Sequence, residues 1–508
     1  MARIKIKSAL ISVYYKDKLE PIIRSLHANG VTMYSTGGTQ TFIESLGIPV
    51  ERVEDLTSYP SILDGRVKTL HPKVFGGILA RREENHLEQL EQYEIPLIDL
   101  VIVDLYPFEE TVDATKDEAA IIEKIDIGGI SLIRAAAKNF NDVVCVPSKN
   151  EYEYFLHLLE TKDGCTDIED RRELARRSFK ISSHYDTAIY QYFTLGSGDL
   201  AFKHSIQQVS SLRYGENPHQ SAVFYGNFDA MFDKLNGKEV SYNNLVDIDA
   251  AVGLMREFLN EPPTFAILKH TNPCGVATRM TVLDAWKAAL TSDPVSAFGG
   301  ILICNSEIDL VTAQEINTLF YEVLIAPSFT DEALAILKSK KQRTLLKIKD
   351  FYVQDRTFRS ILNGVIEQEN DLHTETVKDL KIATTKAPTP QEVDDLLYAI
   401  KCVKHLKSNG IALVKNRQMI GMGCGQTSRV DSLRHAIGKA RHFGFNVTGS
   451  VMASEAFFPF PDCVEIAHQV GIEAVSQPGG SVKDKESIDY CNQNNVAMVM
   501  TGIRHFKH

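Results

Sequence analysis

The segment LIDLVIVDLY, residues 97–106, is apolar at nearly every position and shows little alternation of apolar and polar side chains. A strand that is covered on both faces has this composition, and such strands are typical of parallel sheets flanked by helices. Two further strand candidates lie upstream of it, ALISVYY at 9–15 and VTMYS at 31–35. Together they predict that the N-terminal region is built on a mostly parallel α/β sheet.

Helical patterns alternate with these strand candidates. DKLEPIIRSLHANG, residues 17–30, has helical spacing and ends in Asn-Gly, which is a helix stop signal. QTFIESLG at 40–47 has a second helical pattern, and a long helix is predicted over 169–193. The next segment, LGSGDL at 195–200, has the composition of a hinge. We therefore place the first domain boundary near residue 200.

The second half of the chain changes character after residue 330. Residues 331–385 are charged and contain a single glycine, and TKAPTP at 385–390 has the composition of a connector. Thr389 and Glu392 form a capping-box pattern, which predicts a helix from this point. The chain ends in a further α/β alternation that includes the strand candidate NVAMVMTG at 495–502, and no repeat of fixed period is visible.

Composition restricts the class of protein. The chain has 508 residues, of which 44% are hydrophobic, and its net charge of -11 disfavours broad nucleic-acid binding, which needs a basic face. Its eight cysteines are scattered without a C-x-x-C pair, which favours reduced thiols over a disulfide framework. The sequence shows neither a signal-peptide core nor an apolar stretch of ~18 residues. We therefore expect a cytoplasmic protein.

Three loops of the N-terminal region have the residue types of ligand-facing turns. STGGT at 35–39 follows a strand and precedes a helix, whose free N–H groups can bind an anion. DGRVKTLHPKVFGGILAR at 64–81 concentrates cations, which could hold a phosphate and a reacting oxygen. IDIGGISLIRAAAKN at 125–139 places Asp126 before a glycine pair. Each loop also has a plain structural interpretation, as a tight turn, a solvated basic loop or a capped helix.

Two loops of the second half carry a further set of reactive side chains. LRYGENPHQ at 212–220 offers Arg213 as a fork for a phosphate. LKHTNPCGVA at 268–277 sets Lys269 beside His270 after the apolar strand candidate TFAIL. A neighbouring cation lowers the pKa of an imidazole and so favours a neutral base. A lone Lys-His pair is otherwise more often structural or solvated.

In order and spacing, these motifs resemble the bifunctional formyltransferase–cyclohydrolase family that completes purine synthesis. The resemblance begins at Ser12, includes LYPF at 105–108 and covers essentially the whole chain. The combination of motifs is specific to that family, whereas each motif alone is not. The second half adds further matching segments in order: SDPVSAFGGI at 292–301, KNRQMIGMGCGQTSRV at 415–430, ASEAFFPFPD at 453–462, QPGGS at 477–481 and RHFKH at 504–508.

The resemblance implies an α/β protein whose residues 1–199 form a methylglyoxal-synthase-like domain with IMP cyclohydrolase activity. Residues 200–508 would form the AICAR transformylase region, with two cytidine-deaminase-like subdomains that divide near 386–390. The implied reactions are formyl transfer from 10-formyltetrahydrofolate to AICAR, which gives FAICAR, and cyclisation of FAICAR to IMP. No catalytic metal is implied, and the sequence lacks an H-x-E followed by P-C-x-x-C. A homodimer with transformylase sites at the subunit interface is implied as well.

Positions that match the family motifs carry over as expected site residues of the first domain. Ammonium groups there can stabilise an oxyanion, and a carboxylate can accept the amide proton during cyclisation. The catalytic set is Lys68, Tyr106, Asp126 and Lys138. The ligand-binding set is Ser12, Lys16, Thr36, Gly37, Thr39, Arg66, Thr69, Gly128 and Gly129.

The same comparison gives expected residues for formyl transfer. His270 would take the proton of the substrate amine, Lys269 would stabilise charge, and Asn416 would orient His270. Arginines would bind the substrate phosphate, and aromatic rings would stack on the flat ligands. The catalytic set is Lys269, His270, Asn416 and His508; the substrate-binding set is Arg213, Tyr214, Phe298, Phe457, Pro459, Asp462 and Arg504.

Three positions depart from the family pattern. Asp104 stands where the family usually has Asn before the Leu-Tyr-Pro-Phe motif, and Tyr15 stands where the first loop usually has Asp. Pro461 stands where an Arg is common. The contacts made at these three positions are therefore not given by the resemblance.

Two other functions remain open for this sequence. A methylglyoxal synthase, which is a phosphate-eliminating lyase, would share the fold of the front half, although GRVKTLHP and RAAAKN favour the cyclohydrolase. A nucleotide-binding regulatory domain fused to a scaffold is the non-enzymatic alternative. Such a module has no need for the full set of Lys68, Asp126, Lys138, Lys269 and His270.

Overall fold

The computed structural model describes residues 3–194 and 201–508, so the predicted hinge LGSGDL at 195–200 lies outside the described residues. The chain divides into two units, Met1–Gln207 and Gln208–His508. Among the helices of these two ranges, none combines the length and the apolar composition of a membrane span.

A parallel sheet forms the centre of the first unit, as the apolar strand candidates predict. The strands of this unit are β1 Ile4–Lys5, β2 Ser8–Val13, β3 Thr32–Ser35, β4 Glu51–Arg52, β5 Leu100–Asp104, β6 Val144–Val146 and β7 Cys165–Thr166. The sheet has the order β4-β3-β2-β5-β6 with all neighbours parallel, while β1 and β7 form a separate antiparallel pair.

Strand β5 is buried along its whole length, as predicted from its apolar run. Leu100 and Ile102 belong to the hydrophobic core on one face of the sheet, and Val101 and Val103 belong to the core on the other. Burying an aliphatic side chain of this size contributes roughly 1.5–3 kcal/mol. The sheet is therefore stabilised on both faces, which leaves its strand ends free for function.

Helices flank this sheet. They are α1 Glu20–Ala28, α2 Gly37–Ser45, α3 Val53–Thr57, α4 Pro72–Leu79, α5 Glu84–Gln92, α6 Phe108–Ala114, α7 Glu118–Ile122, α8 Gly128–Lys138, α9 Tyr152–Thr161 and α10 Ile168–Thr194, with short 3-10 helices at Leu63–Gly65 and Lys149–Glu151. The predicted helices over 17–30, 40–47 and 169–193 are confirmed as α1, α2 and α10, each shifted at its ends by a few residues.

The second unit contains two six-stranded mixed sheets. Its strands are β8 Val209–Leu212, β9 Ala222–Tyr225, β10 Phe232–Asn236, β11 Thr264–Lys269, β12 Asn272–Thr278, β13 Ile301–Cys304, β14 Val323–Ala326, β15 Thr344–Ile348, β16 Arg356–Ile361, β17 Gly364–Glu369, β18 Lys381–Ile382, β19 Ile411–Val414, β20 Met419–Gly423, β21 Val451–Ser454, β22 Ala474–Gln477 and β23 Ala497–Met500. Strands β8 and β9, and β16 and β17, form separate hairpins.

The two sheets have the same topology. Their orders are β10-β15-β14-β13-β11-β12 and β18-β23-β22-β21-β19-β20. In each, an antiparallel edge strand precedes three parallel strands, and an antiparallel hairpin closes the other edge. The second unit thus contains two sheets of the same topology, although the sequence shows no repeat of fixed period.

Helices pack on both sheets of this unit. They are α11 Phe228–Met231, α12 Tyr242–Arg256, α13 Val282–Ser292, α14 Pro294–Ala297, α15 Leu310–Ile316, α16 Asp331–Leu337, α17 Pro390–Lys404, α18 Arg429–His442, α19 Asp462–Gln469 and α20 Asp484–Gln493, with a 3-10 helix at Val377–Asp379. One hydrophobic core joins the two sheets, because α12 and α17 both contribute to it together with strands of each sheet.

The start of α17 confirms the predicted capping box. The Glu392 backbone N–H donates to the Thr389 hydroxyl at 3.3 Å, and the Thr389 N–H donates to the Glu392 carboxylate at 2.7 Å. Pro390 occupies the first turn, where its missing N–H leaves no bond unmade. These local contacts fix the point at which the second sheet's helix begins.

Candidate active sites

A cleft of about 750 Å³ opens at the carboxyl ends of β2, β3 and β5 in the first unit. The residues that line it come from segments up to 117 positions apart, Ser12 to Gly129, because parallel strands end at one edge of a sheet. Its lining includes these expected residues: Ser12, Lys16, Thr36, Gly37, Thr39, Arg66, Lys68, Thr69, Tyr106, Asp126, Gly128 and Gly129.

Two helix N-termini point into this cleft. Helix α2 begins at Gly37, and α8 begins at the pair Gly128 and Gly129. The first backbone N–H groups of a helix have no partner within the helix and carry partial positive charge. The cleft is therefore suited to an anionic ligand such as a phosphate.

Glycines make room for Lys68 at the α2 end of the cleft. A Cβ on Gly65 would lie 2.3 Å from the Lys68 Cε, and a Cβ on Gly37 would lie 3.3 Å from its ammonium nitrogen. Both glycines also have positive φ angles, 86° and 55°, that disfavour other residues. The lysine is thus held across two glycines, with its charge at the start of α2.

Lys16 supplies a second ammonium group. Its nitrogen donates to the carbonyl oxygens of Val13 at 2.9 Å and Tyr14 at 2.8 Å. Burial lowers the pKa of Lys16. The Thr39 hydroxyl is buried and exchanges hydrogen bonds with the Val13 backbone, so Thr39 fixes the loop that carries Lys16.

Asp126 is held rigidly at the start of α8. Its carboxylate accepts the Gly129 N–H at 2.7 Å, and its own N–H donates to the Tyr185 hydroxyl at 2.8 Å. A Cβ on Gly129 would lie 2.6 Å from the carboxylate, which explains the glycine at this position. Burial raises the pKa of Asp126, so the group is a stronger base than an exposed aspartate.

Tyr106 faces the same cleft as part of an aromatic pair. Its ring lies edge-on to the Tyr14 ring at 5.5 Å, and the Lys124 ammonium lies 5.6 Å from the Tyr106 ring and 5.3 Å from the Tyr14 ring. Burial and the nearby Asp126 raise the pKa of Tyr106. Tyr14 and Lys124 were not expected from the sequence; their closeness to Ser12 and Asp126 in the motifs was the available signal.

The departure at Asp104 has a structural role. This buried residue ends β5, and its carboxylate accepts the Tyr15 N–H at 3.1 Å while its carbonyl accepts the Tyr14 N–H at 3.1 Å. Burial raises the pKa of Asp104. Asp104 therefore shapes the loop before Lys16, and Tyr15, the second departure, donates from its hydroxyl to Glu110 at 2.5 Å.

Two expected residues of this domain need qualification. Arg66 lines the cleft but is ion-paired with Glu123, so its charge is partly compensated. Lys138 does not line the cleft: it is the exposed last residue of α8, about 15 Å along the axis from the first residue, Gly128. Helix α8 thus separates Lys138 from Asp126 within one chain, and the catalytic role of Lys138 stays a prediction.

The Lys269-His270 pair lies at the turn between β11 and β12. Lys269 donates from its ammonium to the Phe298 carbonyl at 2.6 Å. His270 and Thr271 have positive φ angles of 50° and 66°, and the Thr271 N–H donates to the Asp247 carboxylate at 2.7 Å. Asp247 on α12 thus holds a strained turn in place, a role that the motif comparison did not single out.

Helix α12 also contacts the loop that carries Arg213 and Tyr214. The Asn243 side chain donates to the Glu216 carbonyl at 3.2 Å, one helical turn before Asp247. The Arg213 guanidinium lies 4.7 Å from the Tyr214 ring and donates to its hydroxyl at 3.0 Å. Both loops are therefore anchored on the first turns of one helix.

The C-terminal segment, residues 501–508, is linked to the turn that carries His270. Two hydrogen bonds join Lys507 and Ser408: the Ser408 N–H donates to the Lys507 carbonyl at 2.9 Å, and the Lys507 N–H donates to the Ser408 side-chain hydroxyl at 3.1 Å. The Lys407 N–H in turn donates to the Asn272 side chain at 3.1 Å, and Asn272 donates to the His270 carbonyl at 2.8 Å. Arg504 and His508 lie exposed on this segment.

The segment that carries Phe457, Pro459 and Asp462 follows β21. Phe457 is half-buried, Pro459 is exposed, and Asp462 begins α19 with its carboxylate accepting the Cys463 N–H at 2.8 Å. The carbonyl of Glu455 accepts the His505 N–H at 2.9 Å, which joins this segment to the C-terminal one. Pro461, the third departure, immediately precedes α19.

Asn416 does not lie beside His270. It belongs to the turn before β20, where the Arg417 carbonyl accepts the Thr278 N–H at 3.0 Å and Gln418 bridges to Ala277. Thr278 ends β12, whereas His270 lies just before its start, about 20 Å of strand away. Within one chain, the neighbours of the His270 turn are Asp247, Asn272 and the Lys407–Ser408 segment. The orienting role of Asn416 stays a prediction.

Comparisons with known proteins agree along the whole chain. A family described as AICARFT/IMPCHase bienzyme matches residues 136–439, and one described as MGS-like domain matches residues 18–131. Three relatives carry the name Bifunctional purine biosynthesis protein PurH. They come from Bacteroides thetaiotaomicron (59% identity, 99% of each chain), Acetivibrio thermocellus (46%, 99% of this chain and 100% of the relative) and Chlorobium phaeobacteroides strain DSM 266 (44%, 99% of each chain).

Proposed function

Because the chain belongs to the AICARFT/IMPCHase bienzyme family, we infer that its two units divide the two reactions between them. The protein is a bifunctional enzyme of purine synthesis. It transfers the formyl group of 10-formyltetrahydrofolate to AICAR, which gives FAICAR, and it cyclises FAICAR to IMP with loss of water. The observation that carries this function is 59% identity to a PurH relative over 99% of both chains.

Cyclisation is assigned to the cleft of the first unit, in the domain proposed to span residues 1–199. The carboxamide nitrogen of FAICAR attacks the formyl carbon, and Asp126 passes the nitrogen's proton to the resulting oxygen. Lys68 stabilises the negative charge that develops on that oxygen. The hydroxyl then leaves as water with the proton of the neighbouring formamido nitrogen. The shared cleft and the raised pKa of Asp126 support these roles.

Ligand binding in this cleft is assigned to its anion-binding edge. The start of α2 at Thr36 and Gly37, with Lys16 and Lys68 nearby, would take the phosphate of the nucleotide. Ser12, Arg66, Thr69 and the Gly128–Gly129 pair would line the remaining surface, with Tyr106 against the base. Thr39 serves this edge through the loop that it positions.

Formyl transfer is assigned to the Lys269-His270 turn, in the region proposed to span residues 200–508. The amine of AICAR attacks the formyl carbon while His270 takes the amine proton. The bond from that carbon to N10 of the folate then breaks, and the proton goes to N10, which gives tetrahydrofolate. Lys269 stabilises the charge on the formyl oxygen. The contacts that link this turn to the C-terminal segment support roles for Arg504 and His508 there.

Binding roles for the remaining residues follow from the same assignment. Arg213 and Arg504 would bind the substrate phosphate, with Tyr214 beside Arg213. Phe298 is exposed and lies at the carbonyl that accepts the Lys269 ammonium, so its ring is available for stacking. Phe457, Pro459 and Asp462 would complete the pocket.

Several broader features are part of the proposal. The two sheets of equal topology support two related subdomains, which we propose are cytidine-deaminase-like and divide near 386–390. We also propose a homodimer, because two partners can enclose a large flat folate better than one concave surface can. All eight cysteines are free thiols, which supports a cytoplasmic location.

One assay separates this function from its alternatives. The purified protein is incubated with AICAR and 10-formyltetrahydrofolate, and the formation of tetrahydrofolate and of IMP is followed. Appearance of both products is expected. Release of phosphate from dihydroxyacetone phosphate, with no IMP, would indicate a methylglyoxal synthase, and binding without turnover would indicate a regulatory module.

A further inference from the structure

Within the C-terminal segment, His505 is the most deeply buried side chain after β23. Only 3% of His505 is exposed, whereas Arg504 and His508 on either side of it are exposed. A terminal segment without an anchor would fray. The burial of one histidine among exposed neighbours therefore marks the point at which this segment is held.

Two carboxylates hold the His505 ring from opposite edges. Its Nδ1 lies 2.5 Å from Asp371 Oδ2, and its Nε2 lies 2.6 Å from Glu375 Oε1. Ionised carboxylates only accept hydrogen bonds, so both ring nitrogens must donate, and that requires the charged imidazolium. Burial lowers the pKa of His505, but hydrogen bonds to Asp371 and Glu375 outweigh it and raise the value to about 9.

Further charged groups surround His505 and its two carboxylate partners. Lys404 on α17 donates to the Glu257 carboxylate at 2.7 Å and to the His373 carbonyl at 2.6 Å, and it lies 3.9 Å from Asp371. His405 lies 3.3 Å from Glu257, and burial lowers the pKa of this histidine to about 4, so it stays neutral. Glu455 meets His505 through its backbone carbonyl, while its carboxylate pairs with Arg429.

We propose that His505 is a positioning residue for formyl transfer: its clamp between Asp371 and Glu375 docks the C-terminal segment, so that Arg504 and His508 are presented beside the His270 turn. This proposal rests on the transfer site proposed above. The docked segment reaches that turn through Lys507 and Ser408, and through Lys407 and Asn272. It does not touch substrate through His505 itself.

The charge requirement gives the docking a defined pH dependence. The pKa of histidine is about 6.5 in the unfolded chain, and the pKa of docked His505 is about 9. The charged imidazolium therefore contributes its full stabilisation to docking below a pH of about 6.5. This stabilisation is lost as the pH rises through about 9. Formyl transfer should therefore decline near pH 9 for this reason, whereas cyclisation should not share that midpoint.

The test compares the full-length wild-type protein with Glu375→Gln, Asp371→Asn and His505→Gln between pH 7 and 10. Either carboxylate substitution should lower the midpoint of the alkaline decline in kcat/KM for transfer, because one partner of the imidazolium is lost. His505→Gln should raise the KM for AICAR about tenfold or more at pH 7, with a smaller effect on kcat, because a buried charged hydrogen bond is removed. Its transfer should then show no decline near pH 9.

The controls make each outcome decisive. His468→Gln removes a histidine that hydrogen-bonds Tyr490 on the helices of the second sheet, and it should leave the profile unchanged. If Glu375→Gln does not fold, Asp371→Asn gives the same test at a carboxylate that is 45% exposed. An unshifted midpoint in a folded carboxylate variant, or an unchanged KM in His505→Gln, overturns the positioning role. Full transfer activity in His270→Ala would instead reject the transfer site.

Discussion

Asn416 occupies in the second sheet of the C-terminal unit the position that His270 occupies in the first. Lys415 precedes Asn416, as Lys269 precedes His270, and each lysine donates to a backbone carbonyl, that of Thr448 at 2.7 Å and that of Phe298 at 2.6 Å. Both turns have two consecutive residues with positive φ. One sheet thus carries an imidazole where the other carries an amide.

The helix that packs on each sheet repeats the same support. The Arg417 N–H donates to the Asp395 carboxylate on α17 at 2.7 Å, just as the Thr271 N–H donates to the Asp247 carboxylate on α12 at 2.7 Å. A base is needed to take the proton of the substrate amine, and an amide cannot do this near neutral pH. Of the two equivalent turns, only the first carries a side chain that can accept this proton.

The pair predicts unequal effects of two matched substitutions. His270→Ala should lower kcat for formyl transfer by about 10²–10⁴-fold, because general-base catalysis contributes that much. Asn416→Ala should lower transfer less than His270→Ala does, because an orienting amide does not itself take the proton. Both variants should cyclise supplied FAICAR normally. An unchanged rate of transfer in a folded Asn416→Ala variant would exclude the expected orienting role.

This pair also shows where inference from the sequence stops. The motif KNRQMIGMGCGQTSRV was found in the sequence. Its place in the chain did not reveal that its first turn contacts the Thr278 end of β12, whereas His270 lies at the Asn272 end. The duplication was hidden for a related reason: the two sheets share topology and not a fixed spacing, since different loops separate their strands. Strand pairing, which decides both points, depends on contacts between distant residues.

Local patterns, in contrast, could be interpreted from the sequence. The apolar run in β5 predicted a strand with two buried faces, and Thr389 with Glu392 predicted the start of α17. The resemblance to a family also named most of the residues that line the first cleft, although it did not predict the cleft itself. For Asp126 and Lys138 the motif gives only their order along the chain, so it did not predict that they lie near opposite ends of α8.

Lys68 and Lys138 give a second matched pair. Lys68→Ala should lower cyclisation of FAICAR by about 10²–10³-fold, the cost of losing one oxyanion donor, and FAICAR should accumulate when AICAR is supplied. Lys138→Ala tests the expected catalytic role of an exposed lysine at the far end of α8, where loss of a catalytic group should lower the rate by a comparable factor. The measurement is the rate of IMP formation from FAICAR. An unchanged rate in a folded Lys138→Ala variant would remove this residue from the catalytic set.

The proposed dimer predicts that the two activities respond differently to dilution. Formyl transfer should fall when the protein is diluted below its dimer dissociation constant, because the transfer sites are proposed to lie at the subunit interface. Cyclisation should fall less than transfer, because the cleft of the first unit gathers most of its expected residues from within that unit. Sedimentation at the assay concentrations measures the dimer fraction. A monomer with full transfer activity would contradict the proposal.

The raised pKa of Asp126 sets the acidic limit of cyclisation. Burial is the main cause, and the nearby Asp104 raises the pKa further through charge repulsion. Asp126 must be ionised to accept the amide proton, so kcat/KM should fall as the pH drops through a value above the ordinary aspartate pKa of about 3.9. Asp104→Asn should move this midpoint to lower pH, because it removes the repelling charge, whereas Asp126→Asn should abolish most activity at every pH. If Asp104→Asn leaves a folded, active enzyme with an unmoved midpoint, the group that titrates there is not coupled to Asp104 and is not Asp126.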